Sequence, residues 1–362
     1  MRRLSRYSLY LTLLTAVFWF PARAQTPSAG SVVKLDPSLD DILSPDTKLE
    51  LLQGEGAFEG GEGPLWIQEG ASGFLLFSDV GGNRIFQWTP GCFTFPCAPG
   101  GKLSVFLDHS GYADASRVGS VDANGAHLYG SNGLTLDRGR RIIVDANGDR
   151  AVERLEKDGT RTILADRYDG KRLTCPNDIV VKSDDAVYFT DGMAGCLPKR
   201  EDDLARELSF HGVYSIRNGK LQLLDKDPGD FPPNGLAFSP DEKILYVNNG
   251  GPNPNQRQIF AYDVQPDGTL KNRRLFADFT GEKGPGGPDG MKVDVMGNLY
   301  STGMGGVWIV SPAGKRLGKI PAPEGMRFSN LAFGDRDSKT LYVVSPKTLW
   351  RIRLKVAGIR PL

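Results

Sequence analysis

The sequence predicts an all-β fold, a six-bladed β-propeller with a metal-binding central tunnel, and three observations carry that prediction. A hairpin frame recurs along the chain, its copies stand 41 to 70 residues apart, and long helical patterns are scarce. The frame reads "SNGLTLDRGRRIIVDANG" from 131, "PNDIVVKSDDAVYFTD" from 176, "PNGLAFSPDEKILYVNNG" from 233, "GPDGMKVDVMGNLYSTG" from 287 and "SNLAFGDRDSKTLYVVS" from 329. Each copy opens on Asn or Asp, alternates briefly, turns through Asp, Gly or Ser, and resumes as a β-rich strand. That order is a hairpin signature. A sixth, diverged copy, "GEGPLWIQEGASGFLLFSDVGGN" from 61, places Glu62 in the opening position.

Strands recurring at such a period read as propeller blades, with the longer intervals taken up by insertions. The best helical candidate, "REDDLAREL" at 200–208, lies within an insertion at 193–210 whose charged residues make it a candidate lid. Ring closure needs one strand from the far end of the chain. "KLELLQG" at 48–54 is expected to pair with "TLWRIRLKV" at 348–356, which would hide both open edges.

At the N-terminus, Arg2, Arg3 and Arg6 precede an apolar run from Leu9 to Phe20 and then Ala22-Arg23-Ala24. This is the pattern of a secretory signal with cleavage near Ala24, so an exported protein is expected, periplasmic or secreted. The apolar run is shorter than the roughly 20 residues a bilayer span needs, and no membrane span is expected. Residues 25–47, with Pro and Gly but little periodicity, read as a linker, and 48–357 as the propeller domain. Removing residues 1–24 leaves 40 basic against 43 acidic side chains. That balance excludes the basic face a nucleic-acid partner demands.

Four cysteines in an exported chain predict two disulfides, and the local pairs are favoured: Cys92 with Cys97 at a hairpin tip, and Cys175 with Cys196 across a two-strand stretch. Their spacing is not that of a zinc ribbon.

The openers Glu62, Asn132, Asn177, Asn234, Asp289 and Asn330 occupy one register, and in a propeller the innermost strands line the axis, so these side chains should face one another. Turn formation accounts for any single copy. It does not account for Asn177, Asn234 and Asp289 each following a proline at the same register. Two carboxylates converging with amide carbonyls would repel unless a cation sat among them, and oxygen-only donors suit a hard ion. One divalent cation is expected, Ca²⁺ first, with Mg²⁺, Mn²⁺ or Zn²⁺ as alternatives. His211, in "SFHGVY", is a candidate substrate contact at the mouth, weighed against a packed strand histidine. A cation with an open face could polarise a carbonyl, and an exposed ring carboxylate could serve as general base. No G-x-S-x-G elbow or phosphate-binding Gly-rich loop competes with that device.

From about Leu51 to Ile352 the chain resembles the gluconolactonases related to regucalcin, the senescence marker protein family. The resemblance is carried by "GEGPLW", "NGLTLD", "ILADRYDGKRLTCPNDIVVKSDDAVYFTD", "PNGLAFSPDEKILYV" and "GPDGMKVDVMGNLY". It implies a six-bladed propeller with one catalytic divalent cation. It places the metal-binding residues on Glu62, Asn234 and Asp289, assigns Asn177 to the metal shell or the substrate, and makes Asp289 the candidate general base. Asn132 joins the candidate substrate contacts. The rim departs from the family: Cys175 stands where some relatives carry arginine, and "DANG" at 145–148 and "FTDGMAG" at 189–195 replace their usual motifs. The resulting expectation is a lactone hydrolase acting on a sugar lactone or similar cyclic ester, not necessarily glucono-lactone. A phosphotriester-type hydrolase on the same site, or a non-catalytic carbohydrate- or protein-binding propeller with a structural ion, are the alternatives.

Overall fold

A computed structural model describes residues 30–92, 100–112, 130–192, 207–226, 232–250 and 257–361. Six antiparallel blades follow one another along the chain, with innermost strands Gly61–Glu69, Ser131–Leu136, Pro176–Val181, Pro233–Phe238, Met291–Val293 and Asn330–Gly334. Each successive strand of a blade lies further out, paired antiparallel with the one before it. The expected closure is present: Glu50–Gln53 forms the outer strand of blade 6 by pairing with Leu349–Arg353. A strand that precedes blade 1 thus completes the sheet of blade 6, joining the last blade to the first.

The core consists of six apolar clusters, one in each wedge between neighbouring blades. Leu65, Leu76 and Ile85 of blade 1 pack on Leu134, Leu136 and Val144 of blade 2. Trp66, Leu75 and Phe77 on the other face of blade 1 meet Ala332, Tyr342 and Leu349 of blade 6. Because both faces of a blade are covered, its inner strands are largely buried; Leu299–Gly303 and Gly306–Val310 expose no residue.

The inner strands share one irregularity. In blades 1 to 4 the pairing register slips just after the opener, between Glu62 and Leu65, Ser131 and Leu134, Pro176 and Ile179, and Pro233 and Leu236. A bulge at that point re-aims a side chain out of the pleat. Repeated at one register, it turns the openers toward the axis.

Two expected boundaries are corrected. Residues 25–47 were expected to be a linker, but Val33–Lys34 adds a fifth strand to blade 5 against Gly318 and Lys319. The 3₁₀ turn Pro37–Asp41 follows, capped by the Asp36 carboxylate accepting from the Ser38 N–H at 2.9 Å. Leu39, Ile42 and Leu43 are buried in the cluster between blades 5 and 6. Three apolar residues on one short turn show no periodicity, so only the surface they cover reveals them. Leu39→Ala should lower stability by about 2–4 kcal/mol, read by thermal melting; an unchanged melt would return this segment to linker status. At the other end, order extends past 357: Gly358 bridges Asp294, and the chain is described to Pro361.

Among the described residues there is no α-helix. The helix expected at 200–208 and the lid at 193–210 fall mainly on residues 193–206, outside the described residues. Neither Cys92 nor Cys175 is a free thiol. Cys97 and Cys196 lie outside the described residues. The strands flanking Cys92 do form the expected hairpin, Arg84–Pro90 with Gly101–Asp108.

Candidate functional site at the propeller axis

The openers meet. Asn132 Nδ2 donates to Asn177 Oδ1 at 2.6 Å, and Asn177 Nδ2 donates to Asn234 Oδ1 at 2.6 Å. Asn234 in turn hydrogen-bonds the Asp289 carboxyl. On the opposite arc Asn330 Nδ2 reaches Glu62 Oε2 at 3.4 Å. Side chains separated by up to 268 residues thus form one polar ring. Asn132, Asn177, Asn234 and Asn330 are buried, whereas Glu62 and Asp289 keep partial exposure.

Close backbone packing supports this ring. Asn248 accepts from the Gly235 N–H at 3.1 Å and donates to the Asp289 carbonyl at 2.5 Å. Thr190 Oγ1 donates to the Asn234 carbonyl at 2.7 Å, and Thr302 Oγ1 to the Ser329 carbonyl at 2.8 Å. Asn147 of "DANG" donates to the Pro176 carbonyl and to Cys175 Sγ, holding the segment that presents Asn177.

Charge in the ring is unbalanced. Burial, then the negative charge of Asp178, pushes the Glu62 carboxyl up to about 7, opposed by the Arg327 guanidinium and the Asn330 hydrogen bond. Burial, then Glu62, raises Asp289 well above the carboxylate range, again opposed by Arg327. Asp178 is itself raised, chiefly by burial, and its Oδ2 is buried without a hydrogen-bond partner. Among the described residues no three His, Cys, Asp or Glu side chains gather as a metal site. The ring instead offers two carboxylates and neutral amide oxygens, the donor set of a hard cation. Mutual repulsion of two largely desolvated carboxyls is the imbalance that a divalent cation relieves. The residues present therefore fit such an ion.

The predicted residues divide accordingly. Glu62, Asn132, Asn177, Asn234 and Asp289 come together. His211 stands at the rim of blade 3, its Nδ1 only 2.0 Å from where a Cβ on Gly192 would lie. Cys175 adjoins it, accepting from the Gly192 N–H through its carbonyl at 3.2 Å. Sequence reasoning missed Asp178, Asp145 and Arg327. Asp178 carried a signal, since it follows Asn177 in the same repeat. Asp145 is fully buried with neither carboxylate oxygen bonded, and its carboxyl is raised well above the usual range by burial and by Asp178. Arg327 lies on the non-repeating connection between blades 5 and 6, where no periodicity could mark it.

Comparison with known proteins shows the family. Residues 60–347 match the family described as the SMP-30/Gluconolactonase/LRE-like region. A gluconolactonase from Zymomonas mobilis is 34% identical over 336 residues, covering 91% of this chain and 87% of its own. A regucalcin from Danio rerio is 35% identical over 295 residues, covering 79% and 83%. The solved structure of a gluconolactonase from Xanthomonas campestris superposes with a TM-score of 0.71 at 31% identity, over 92% of this chain and 99% of that one. With its six blades and axial ring of openers, the chain belongs to the SMP-30/gluconolactonase/LRE-like family.

Proposed function

We propose that this protein is an exported, divalent-cation-dependent hydrolase that opens a sugar lactone or related cyclic ester. The observation that carries the reading is the pairing of Glu62 and Asp289, both raised by burial, within a ring of amides at the axis. Membership of a family that includes gluconolactonases supports it. Glu62, Asn234 and Asp289 would hold the cation, with Asn177 completing the donors. When bound, a divalent cation supplies Lewis-acid polarisation of the lactone carbonyl.

The chain's own residues do the rest. Asp289, partly open to solvent, takes a proton from the attacking water. The water oxygen then bonds the carbonyl carbon, the ring C–O bond breaks, and the departing oxygen takes the proton back from Asp289, giving a hydroxy acid and restoring the base. Asn132 commits its amide N–H to Asn177 and retains Oδ1 for a substrate hydroxyl. His211, at the rim, would touch the part of the substrate furthest from the ring.

The test is hydrolysis of sugar lactones, aliphatic lactones and one phosphotriester after chelation, with Ca²⁺, Mg²⁺, Mn²⁺ or Zn²⁺ restored. Cation-restored lactone opening is expected. Turnover of the phosphotriester alone would replace the substrate class, and tight cation binding without turnover would favour a binding scaffold. Export, with Cys92–Cys97 and Cys175–Cys196 paired, belongs to the same proposal; N-terminal sequencing and alkylation before and after reduction check it.

A pH dependence follows from Glu62. Its folded pKa of about 7 lies above the 4.5 of an ordinary glutamate, so the fold penalises its ionised form. This contribution to metal-free stability falls as pH rises from 4.5 to about 7 and is constant above. At pH 8 the penalty is about 3 kcal/mol, which a bound cation offsets. The Ca²⁺-induced rise in melting temperature should therefore be larger at pH 8 than at pH 5.5. Equal shifts would remove the carboxyl pair from the cation site.

A further inference from the structure

The tunnel continues beyond the ring as a separate compartment. A cavity of about 140 Å³ is walled by the inner strands of all six blades downstream of their openers, through residues such as Leu65, Leu134, Ile179, Val293 and Phe333. Its floor is the C-terminal segment Ile359–Pro361. That segment is tied down by Ile359 N–H to the Val293 carbonyl at 3.0 Å, Gly358 N–H to the Ser338 carbonyl at 2.8 Å, and Arg360 Nη1 to Gln68 Oε1 at 2.9 Å. On the ring side, the backbones of blades 1 and 2 are too close to admit even a Cβ at Gly63, 2.0 Å from the Asn132 carbonyl. On the other side the compartment is bounded by residues Ile359, Arg360 and Pro361.

One charge in this apolar compartment has no ion-pair partner among the described residues. Lys292 lines the cavity, and among the described residues its Nζ donates only to the Met291 carbonyl, at 3.0 Å, with no ion pair. The other charged groups there have partners. Arg360 also donates to the Asp335 carbonyl at 3.0 Å, and Glu242 accepts from the Ser183 N–H at 2.7 Å and pairs with Lys182 at 3.2 Å. Asp178 feels the Lys292 charge but makes no ion pair with it. An ammonium among apolar walls gains more from a direct anion than one in water does. The volume sets the size of that partner, since an apolar cavity of ~150 Å³ admits benzene.

We propose that the lower tunnel is a second, non-catalytic binding site for a small organic carboxylate. The carboxylate pairs with Lys292, a compact apolar body of benzene-like size fills the walls, and the C-terminal segment closes behind it. This site is independent of lactone hydrolysis. Entry requires only local release of the tail, which is held by few hydrogen bonds and whose Ile359 is 36% exposed.

The experiment titrates the Ca²⁺-loaded full chain with benzoate and with the neutral benzyl alcohol, by calorimetry and ligand-observed NMR. Lys292→Met should weaken benzoate by at least about tenfold while benzyl alcohol stays within about threefold, because only the ion pair is removed. Ile359→Trp, which fills the floor, should abolish both; Ile359→Phe replaces it should the tryptophan variant not fold. Benzoate held by a cation at the ring would be insensitive to all three substitutions. That result, or no binding by wild type up to ~10 mM, overturns the proposal. Neither outcome bears on whether lactones are hydrolysed.

Discussion

Asp289→Asn should reduce lactone turnover by at least about 10³-fold while raising the melting temperature of the metal-free protein. The substitution keeps the size of the side chain and one oxygen donor. It removes the charge that would attract the cation and the base that would accept the proton from water. In the metal-free protein that same charge is a liability, since Asp289 is largely desolvated beside Glu62 and raised well above its ordinary pKa. Deleting it relieves repulsion, so stability and activity move in opposite directions. Glu62→Gln should behave alike, because its carboxyl is raised by the same burial. The measurement is kcat/KM at saturating cation alongside metal-free and metal-loaded melts. Retained turnover in a folded Asp289→Asn protein would remove the ring from the chemistry, and a lower metal-free melting temperature would show that the carboxylate is structural.

Gly63→Ala should be the most disruptive single methyl addition at the ring, with a loss of about 3–5 kcal/mol. Gly63 has φ +50°, and a Cβ there would lie 2.0 Å from the Asn132 carbonyl oxygen and 2.9 Å from its carbon. Both are backbone atoms of the neighbouring inner strand, so no side-chain rotation relieves the overlap. Blades 1 and 2 would have to separate at the point where Glu62 and Asn132 enter the ring. Gly70→Ala is the matched control: φ is +57° and a Cβ would meet nothing within 4 Å. It should cost only the left-handed backbone penalty, about 1 kcal/mol. Comparable melts for the two variants would show that backbone conformation, and not blade contact, governs the site.

The bulges explain how the openers could be found before the fold was seen. A residue that must leave the pleat at one register in successive blades leaves a repeated Asn or Asp, often after proline, and repetition is visible in sequence. The docked turn at Pro37–Asp41 leaves no such trace, because one apolar turn against one wedge has nothing to repeat. Arg327 was hidden for the same reason. It sits in a single connection, and its role depends on reaching Glu62 and Asp289, to which it is joined by neither spacing nor periodicity. His211 was marked by residue type alone; its contact with Gly192 at the rim of blade 3 depends on how that blade folds.

By itself the sequence determined the all-β class, the blade number, the closure of Glu50–Gln53 on Leu349–Arg353, and the register of the ring. These are local or repeated features, written several times over in hairpin turns and strand patterns. Only the tertiary structure decided which carboxyls face one another, which cations temper them, which residues line the lower tunnel, and that Leu39, Ile42 and Leu43 are packed in a wedge. Those depend on distances between residues far apart in the chain. Desolvation and Coulomb interaction act through space, and no residue's pKa or partner is set until folding has brought its neighbours within reach.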